Sequence, residues 1–211
     1  PYADLLGQGS VTDAQMAIED FGKQVLGKPI ELVSAGHQLK PDVGTAIIRR
    51  WFDAEKVDMV ADIVHSTIAL AAENLAKERD KVIIATAVGT TDFTGKACIT
   101  TAASWLYDTG ALTTGLVHSL VAQKADTWFL IVVDYAFGAS MEADARKAIA
   151  AAGGKVVGTV RHPLGTSDFS SYLLQAQASG AKVVLLANGG ADLINSIKQA
   201  KEFGLTGKQT L

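Results

Sequence analysis

Four short segments hold most of the side chains able to bind or react: Val64-His65-Ser66-Thr67, Thr86-Ala87-Val88-Gly89-Thr90-Thr91, Asp134-Tyr135-Ala136-Phe137-Gly138 and Asn188-Gly189-Gly190-Ala191-Asp192. Each follows an apolar strand-like run and precedes a helix-like or loop stretch. Hydroxyls, an imidazole and the free N–H groups of a helix start can hold a carboxylate, while tyrosine and phenylalanine can wall an apolar ring. Gly, Ser, Thr and Asp are also ordinary turn and cap residues, which accounts for much of the pattern. It accounts less well for His65, Tyr135 and Phe137.

Other chemistries lack their residue sets. The histidines at 37, 65, 118 and 162 show no metal-ligand spacing. The lone cysteine, Cys98, cannot form an internal disulfide and reads as a small buried residue between Ala97 and Ile99. Gly-x-Ser-x-Gly occurs nowhere, so a nucleophile elbow is not expected. Gly7-Gln8-Gly9-Ser10 lacks both the third glycine of a dinucleotide fingerprint and the Gly-Lys-Ser/Thr of a phosphate loop, and reads as loop-shaping. An enzyme using His65, Asp192 or Cys98 as acid, base or nucleophile would need those groups to converge, and they are spread over different loops. No enzyme activity and no cofactor are expected.

The elements that must position these segments follow from periodicity. The chain has 211 residues, 48% hydrophobic and 19% charged, which suits an ordinary globular protein able to bury a core without staples. A net charge of −3 with scattered Lys and Arg lacks the basic stripe of a nucleic-acid binder. The longest apolar runs, 128–133 and 183–187, are strand-length and far short of the roughly 20 residues a membrane span needs. Helix-like windows at 9–25, 41–52, 66–78 (capped by Ser66 or Thr67) and 108–123 alternate with strand-like windows at 29–34, 57–64 and 82–87. A loop at 88–101 carries a short strand at its end. The grammar restarts with strands at 127–133, 155–161 and 182–187 and helices at 137–152, 169–178 and 191–203, and a further strand has room to start at Thr210. The fold class is α/β, with two Rossmann-like lobes of mainly parallel sheet at 1–122 and 123–211. Parallel strands would place all four segments on one side, where the lobes face each other across a cleft.

The same residues resemble the periplasmic solute-binding proteins of ABC importers, the type I fold of the branched-chain amino acid binders. Pro1-Tyr2-Ala3-Asp4 is similar to the end of that family's Ser-Gly-Pro-Tyr loop, and Lys28-Pro29-Ile30-Glu31-Leu32-Val33 to its second strand. Asp134-Tyr135-Ala136-Phe137-Gly138 is similar to its Asp-Tyr-x-Tyr/Phe-Gly turn, and Thr166-Ser167-Asp168-Phe169-Ser170 to its Thr-x-Asp-Phe-Ser helix start. The resemblance covers essentially the whole chain and looks closest to the branch that imports aromatic acids.

It implies a carboxylate site at Ser66 and Thr67 with Val88, Gly89 and Thr90. It implies aromatic contacts from Phe137 and Tyr135, and Tyr2 walling the cleft. Asp192 falls where amino acid binders hold the ligand ammonium. His65 stands where small hydroxyl or polar residues are usual, a departure that argues against an unmodified amino acid and offers an imidazole to a carboxylate or phenolic oxygen. The implied protein is a periplasmic monomer that delivers a small carboxylate, an aromatic acid, to the membrane subunits of an ABC importer. A branched-chain or other amino acid binder, and a ligand sensor of the same fold, are the alternatives. The resemblance also implies a strand before the Pro-Tyr loop and a C-terminal segment completing both lobes, so the chain is expected to be truncated at both ends.

Overall fold

A computed structural model of the chain describes Tyr2 and residues 6–211; Pro1, Ala3 and Asp4 of the opening motif lie outside the described residues. Helix α1 (Gln8–Asp20) stops at Phe21, and Gly22 turns to a positive φ of 96° that glycine adopts without steric cost. That turn corrects the expected continuation to residue 25. It leads into a two-stranded antiparallel hairpin, β1 (Gln24–Val25) and β2 (Lys28–Pro29). Of the expected strand at 29–34 only Pro29 joins a ladder, opposite Gln24 at the end of β2; residues 31–36 are exposed and no described strand lies beside them.

Pro41 supplies the φ of a first helical turn and lacks only an N–H that would be orphaned there, so α2 (Pro41–Asp53) starts on it. Then follow β3 (Met59–Ala61), α3 (Ser66–Arg79), β4 (Val82–Ala85) and β5 (Ala102–Ser104), whose strands pair in parallel in the order β3-β4-β5. Ile48 and Phe52 of α2, Ile68 and Leu75 of α3, and Ile83 of β4 meet in the first core. Cys98 is exposed, contrary to expectation, because it lies in the turns between β4 and β5 rather than on a packed face.

Helix α4 (Thr109–Ala122) begins at Asp108, whose carboxylate accepts the Ala111 N–H at 2.7 Å. The second sheet comprises β6 (Thr127–Val133), β7 (Lys155–His162) and β8 (Val183–Ala187), all parallel, with β6 in the middle. Helices α5 (Ala136–Ala151), α6 (Ser170–Ala178) and α7 (Gly190–Glu202) connect and cover it. Trp128, Leu130 and Val132 enter one core and Phe129 and Ile131 the other, as the two-residue period of a strand buried on both faces requires. Val117 of α4 joins the first of these cores, so α4 packs on α5. Thr210 bridges to Val183 in parallel, a single bridge where a further strand was expected. Among the described residues no helix is long and apolar enough to cross a membrane.

Glu73 is an exception within the first core. It is fully buried on α3, and neither carboxylate oxygen has a hydrogen-bond partner among the described residues. Burial disfavours the charged form and pushes its pKa up to about 7. A folded-state pKa above the unfolded value means that stability is full below the unfolded pKa and is lost as pH rises through the folded one. Glu73→Gln should therefore raise stability by up to about 3 kcal/mol near pH 8, with the gain vanishing near pH 4.5. Urea denaturation across that range checks this, and parallel curves for the two proteins would contradict it.

Candidate functional site

The start of α3 is built from a strand end. His65 takes an extended backbone and occupies the N-cap position, with no side-chain cap bond to the helix. This corrects the expectation of a Ser66 or Thr67 cap. Ser66 and Thr67 are instead the first helical residues, so their N–H groups are among those a helix leaves unsatisfied. The loop after β4 stands beside them, with Val88, Gly89 and Thr90 all buried. Gly89 is needed for close approach: a Cβ there would stand 2.6 Å from Cε2 of Phe137.

Phe137 arrives from the second lobe, and so does the contact to His65. The His65 and Tyr135 rings lie 4.4 Å apart between centroids, and the Tyr135 and Phe137 rings 6.1 Å apart in a stacked orientation. His37 approaches His65 edge-on at 6.4 Å. The Tyr2 and Tyr135 hydroxyls are 2.9 Å apart, and the Ala136 N–H donates to Thr67 Oγ1 at 3.4 Å. Thus the lobes meet directly through the residues singled out in the sequence: Tyr2, His65, Thr67, Gly89, Tyr135 and Phe137.

His65, Tyr2 and Tyr135 are all uncharged at pH 7, chiefly through burial, with the nearby Asp192 charge helping to keep both phenols protonated. Burial, with the charge of His37 as a second cause, pushes the His65 imidazole down to about 4, so it is neutral at pH 7. Its Nδ1 is buried without a partner among the described residues. Burial also raises both tyrosines above the ordinary phenol value, so both keep their protons. One hydroxyl donates to the other, and the accepting one retains a proton for a third group.

Asp192 lies in the first turn of α7, 1% exposed, and accepts the Gly165 N–H at 3.0 Å. His162 Nδ1 is 3.9 Å from the same carboxylate, but burial lowers the His162 pKa and the ring is neutral at pH 7, so the two are not an ion pair. Asn188 donates to His162 Nε2 at 3.2 Å, and Asn188 Oδ1 is buried without a partner among the described residues. Sequence reading singled out neither His162 nor its Asn188 contact, since 26 residues separate them and only the pairing of β6 with both β7 and β8 brings them together.

The model of the periplasmic binding protein family matches residues 1–211. A periplasmic binding protein from Burkholderia mallei is 44% identical over 100% of this chain and 56% of its own, with a TM-score of 0.96. The periplasmic ligand-binding protein of a branched-chain amino acid ABC transporter from Burkholderia xenovorans is also 44% identical over 100% of this chain and 56% of its own, with a TM-score of 0.78. An ABC transporter solute-binding protein from Rhodopseudomonas palustris, solved with p-hydroxybenzoic acid, is 26% identical over 100% of this chain and 57% of its own, at a TM-score of 0.84. The chain thus spans a little over half the length of these proteins. No curated protein matches it. With its parallel sheets in the arrangement of the type I binding fold, the chain belongs to the periplasmic binding protein family.

Proposed function

We propose that the chain carries the ligand cleft of an extracytoplasmic receptor that holds a small aromatic carboxylate between two lobes and delivers it to the membrane subunits of an ABC importer. The observation that carries this reading is the row of rings formed by buried His65 and half-buried Tyr135 and Phe137, contributed by both lobes and set against the unsatisfied start of α3. In this reading the carboxylate sits on the N–H groups of Ser66 and Thr67 with Val88, Gly89 and Thr90, held by backbone dipoles rather than by a cation. The ring lies among His65, Tyr135 and Phe137, under Tyr2. The spare phenol proton and His65 Nδ1 serve polar atoms of the ligand. Lobe closure is the working motion, and no bond is made or broken.

An amino acid ligand is the second reading, supported by Asp192 at the cleft edge and by the relative named for branched-chain amino acid transport. Against it, Asp192 already holds the Gly165 N–H.

Thermal-shift measurements on the intact protein with 4-hydroxybenzoate, benzoate, leucine and valine separate the readings. A ligand at about 100 times its dissociation constant stabilises by about 2.7 kcal/mol. The aromatic acids should give that shift and the aliphatic amino acids none; a shift with leucine or valine alone overturns the aromatic reading. Phe137→Ala should weaken 4-hydroxybenzoate binding about tenfold by calorimetry, the scale of one lost ring contact, and an unchanged affinity counts against the placement of the ring.

The neutral imidazole gives a separate expectation for the unliganded protein. A histidine whose folded pKa is depressed is most stabilising above its unfolded value, so His65 lets stability drain away as pH falls from 6.5 toward 4. His65→Phe should remove up to about 3 kcal/mol of that acid loss. Denaturation curves with the same acid slope in both proteins would show that His65 is not held neutral.

A further inference from the structure

A second contact joins the lobes away from the rings. Thr91, two residues beyond Gly89 in the first lobe, reaches Ser140 and Asp144 of α5 and stands beside Thr109, the first residue of α4, which packs on α5 in the second lobe. Thr109 Oγ1 lies 2.6 Å from Asp144 Oδ2 and 2.8 Å from Ser140 Oγ. Thr91 Oγ1 lies 3.1 Å from the same carboxylate oxygen and 3.0 Å from Ser140 Oγ, and the Thr91 N–H donates to Ser140 Oγ at 3.1 Å. The protons can be assigned without remainder: both threonine hydroxyls donate to Asp144, the Thr91 amide donates to Ser140, and Ser140 donates to one of the threonines. Thr109 is fully buried and Ser140 nearly so, which strengthens each bond and makes each loss costly. The Thr109 N–H also donates to the Gly89 carbonyl at 2.7 Å, so the network grips the same loop that presses Gly89 on Phe137.

We propose that Thr91 of the first lobe and Ser140 and Asp144 of the second form a latch that favours the closed arrangement of the lobes and positions the 88–91 loop, with Thr109 orienting Ser140 and Asp144 from within the second lobe. These are positioning residues; none is placed in contact with ligand. The proposal rests on the two-lobe receptor reading but on no particular ligand. A receptor with a built-in closing contact has less reorganisation left for the ligand to drive, so the latch sets the share of closed molecules before binding.

The test is pulsed electron paramagnetic resonance on the intact, unliganded protein. Spin labels go on Lys77→Cys in α3 and Lys201→Cys in α7, both exposed positions, in a Cys98→Ser background. The parent should give one narrow distance population. Thr91→Val, which keeps the shape and removes the hydroxyl, should add a longer-distance population of about a third or more, corresponding to a shift of several-fold in the open-to-closed ratio. Thr91→Ser, which keeps the hydroxyl, should restore the parent distribution. Should Thr91→Val not fold, Ser140→Ala, which removes the acceptor of the Thr91 amide, decides in its place by the same readout. A folded Thr91→Val or Ser140→Ala variant whose distribution superimposes on the parent's overturns the latch. Because no ligand is present, that result is independent of whether 4-hydroxybenzoate binds.

Discussion

Parallel strands cannot be joined by tight hairpins, so within each of the two parallel sheets successive strands are joined by crossovers and their carboxyl ends point the same way. The functional geometry descends from that constraint. β3 and β4 release His65 and Gly89 at one edge of the first sheet, and β6 and β8 release Tyr135 and Asn188 at one edge of the second. Helices begin immediately after two of these ends, at Ser66 and Ala136, which puts unsatisfied N–H groups beside the rings that follow the strands. The central position of β6, buried on both faces, fixes the edge from which Tyr135 and Phe137 emerge.

The ring cluster between the lobes is polar but itself uncharged, with the Asp192 carboxylate as the nearby charge. His65 is held neutral, and Tyr2 and Tyr135 are held protonated, chiefly because burial penalises their ionised forms. Under the proposed reading, an anion held there by dipoles leaves no buried cation unpaired when it is released. Glu73 follows the same rule: buried with no partner among the described residues, it bears its desolvation as a raised pKa.

Much of this was legible in the residues. The unbroken apolar run of β6 gave its boundaries outright, Pro41 and Asp108 marked two helix starts, and His65, Tyr135 and Phe137 stood out because turn chemistry does not call for them. What was not legible depended on partners. Residues 31–34 have strand-forming side chains but no neighbouring strand to pair with, and the helix read to residue 25 stops at a glycine whose sign of φ the pattern could not reveal. Cys98 looked buried from its apolar neighbours, yet only Ile99 beside it turns to the first core while Cys98 faces outward. The Thr91–Asp144 contact joins residues 53 apart that are ordinary in type, and nothing local distinguishes them from other surface hydroxyls and carboxylates.

The most direct measurement is a crystal structure of the intact protein grown with 4-hydroxybenzoate. The account predicts the ligand ring against His65, Tyr135 and Phe137, with its carboxylate oxygens about 3 Å from amide nitrogens of Ser66, Thr67, Gly89 or Thr90. A carboxylate turned to solvent, a ring seated away from those three side chains, or an empty cleft at saturating ligand would contradict it.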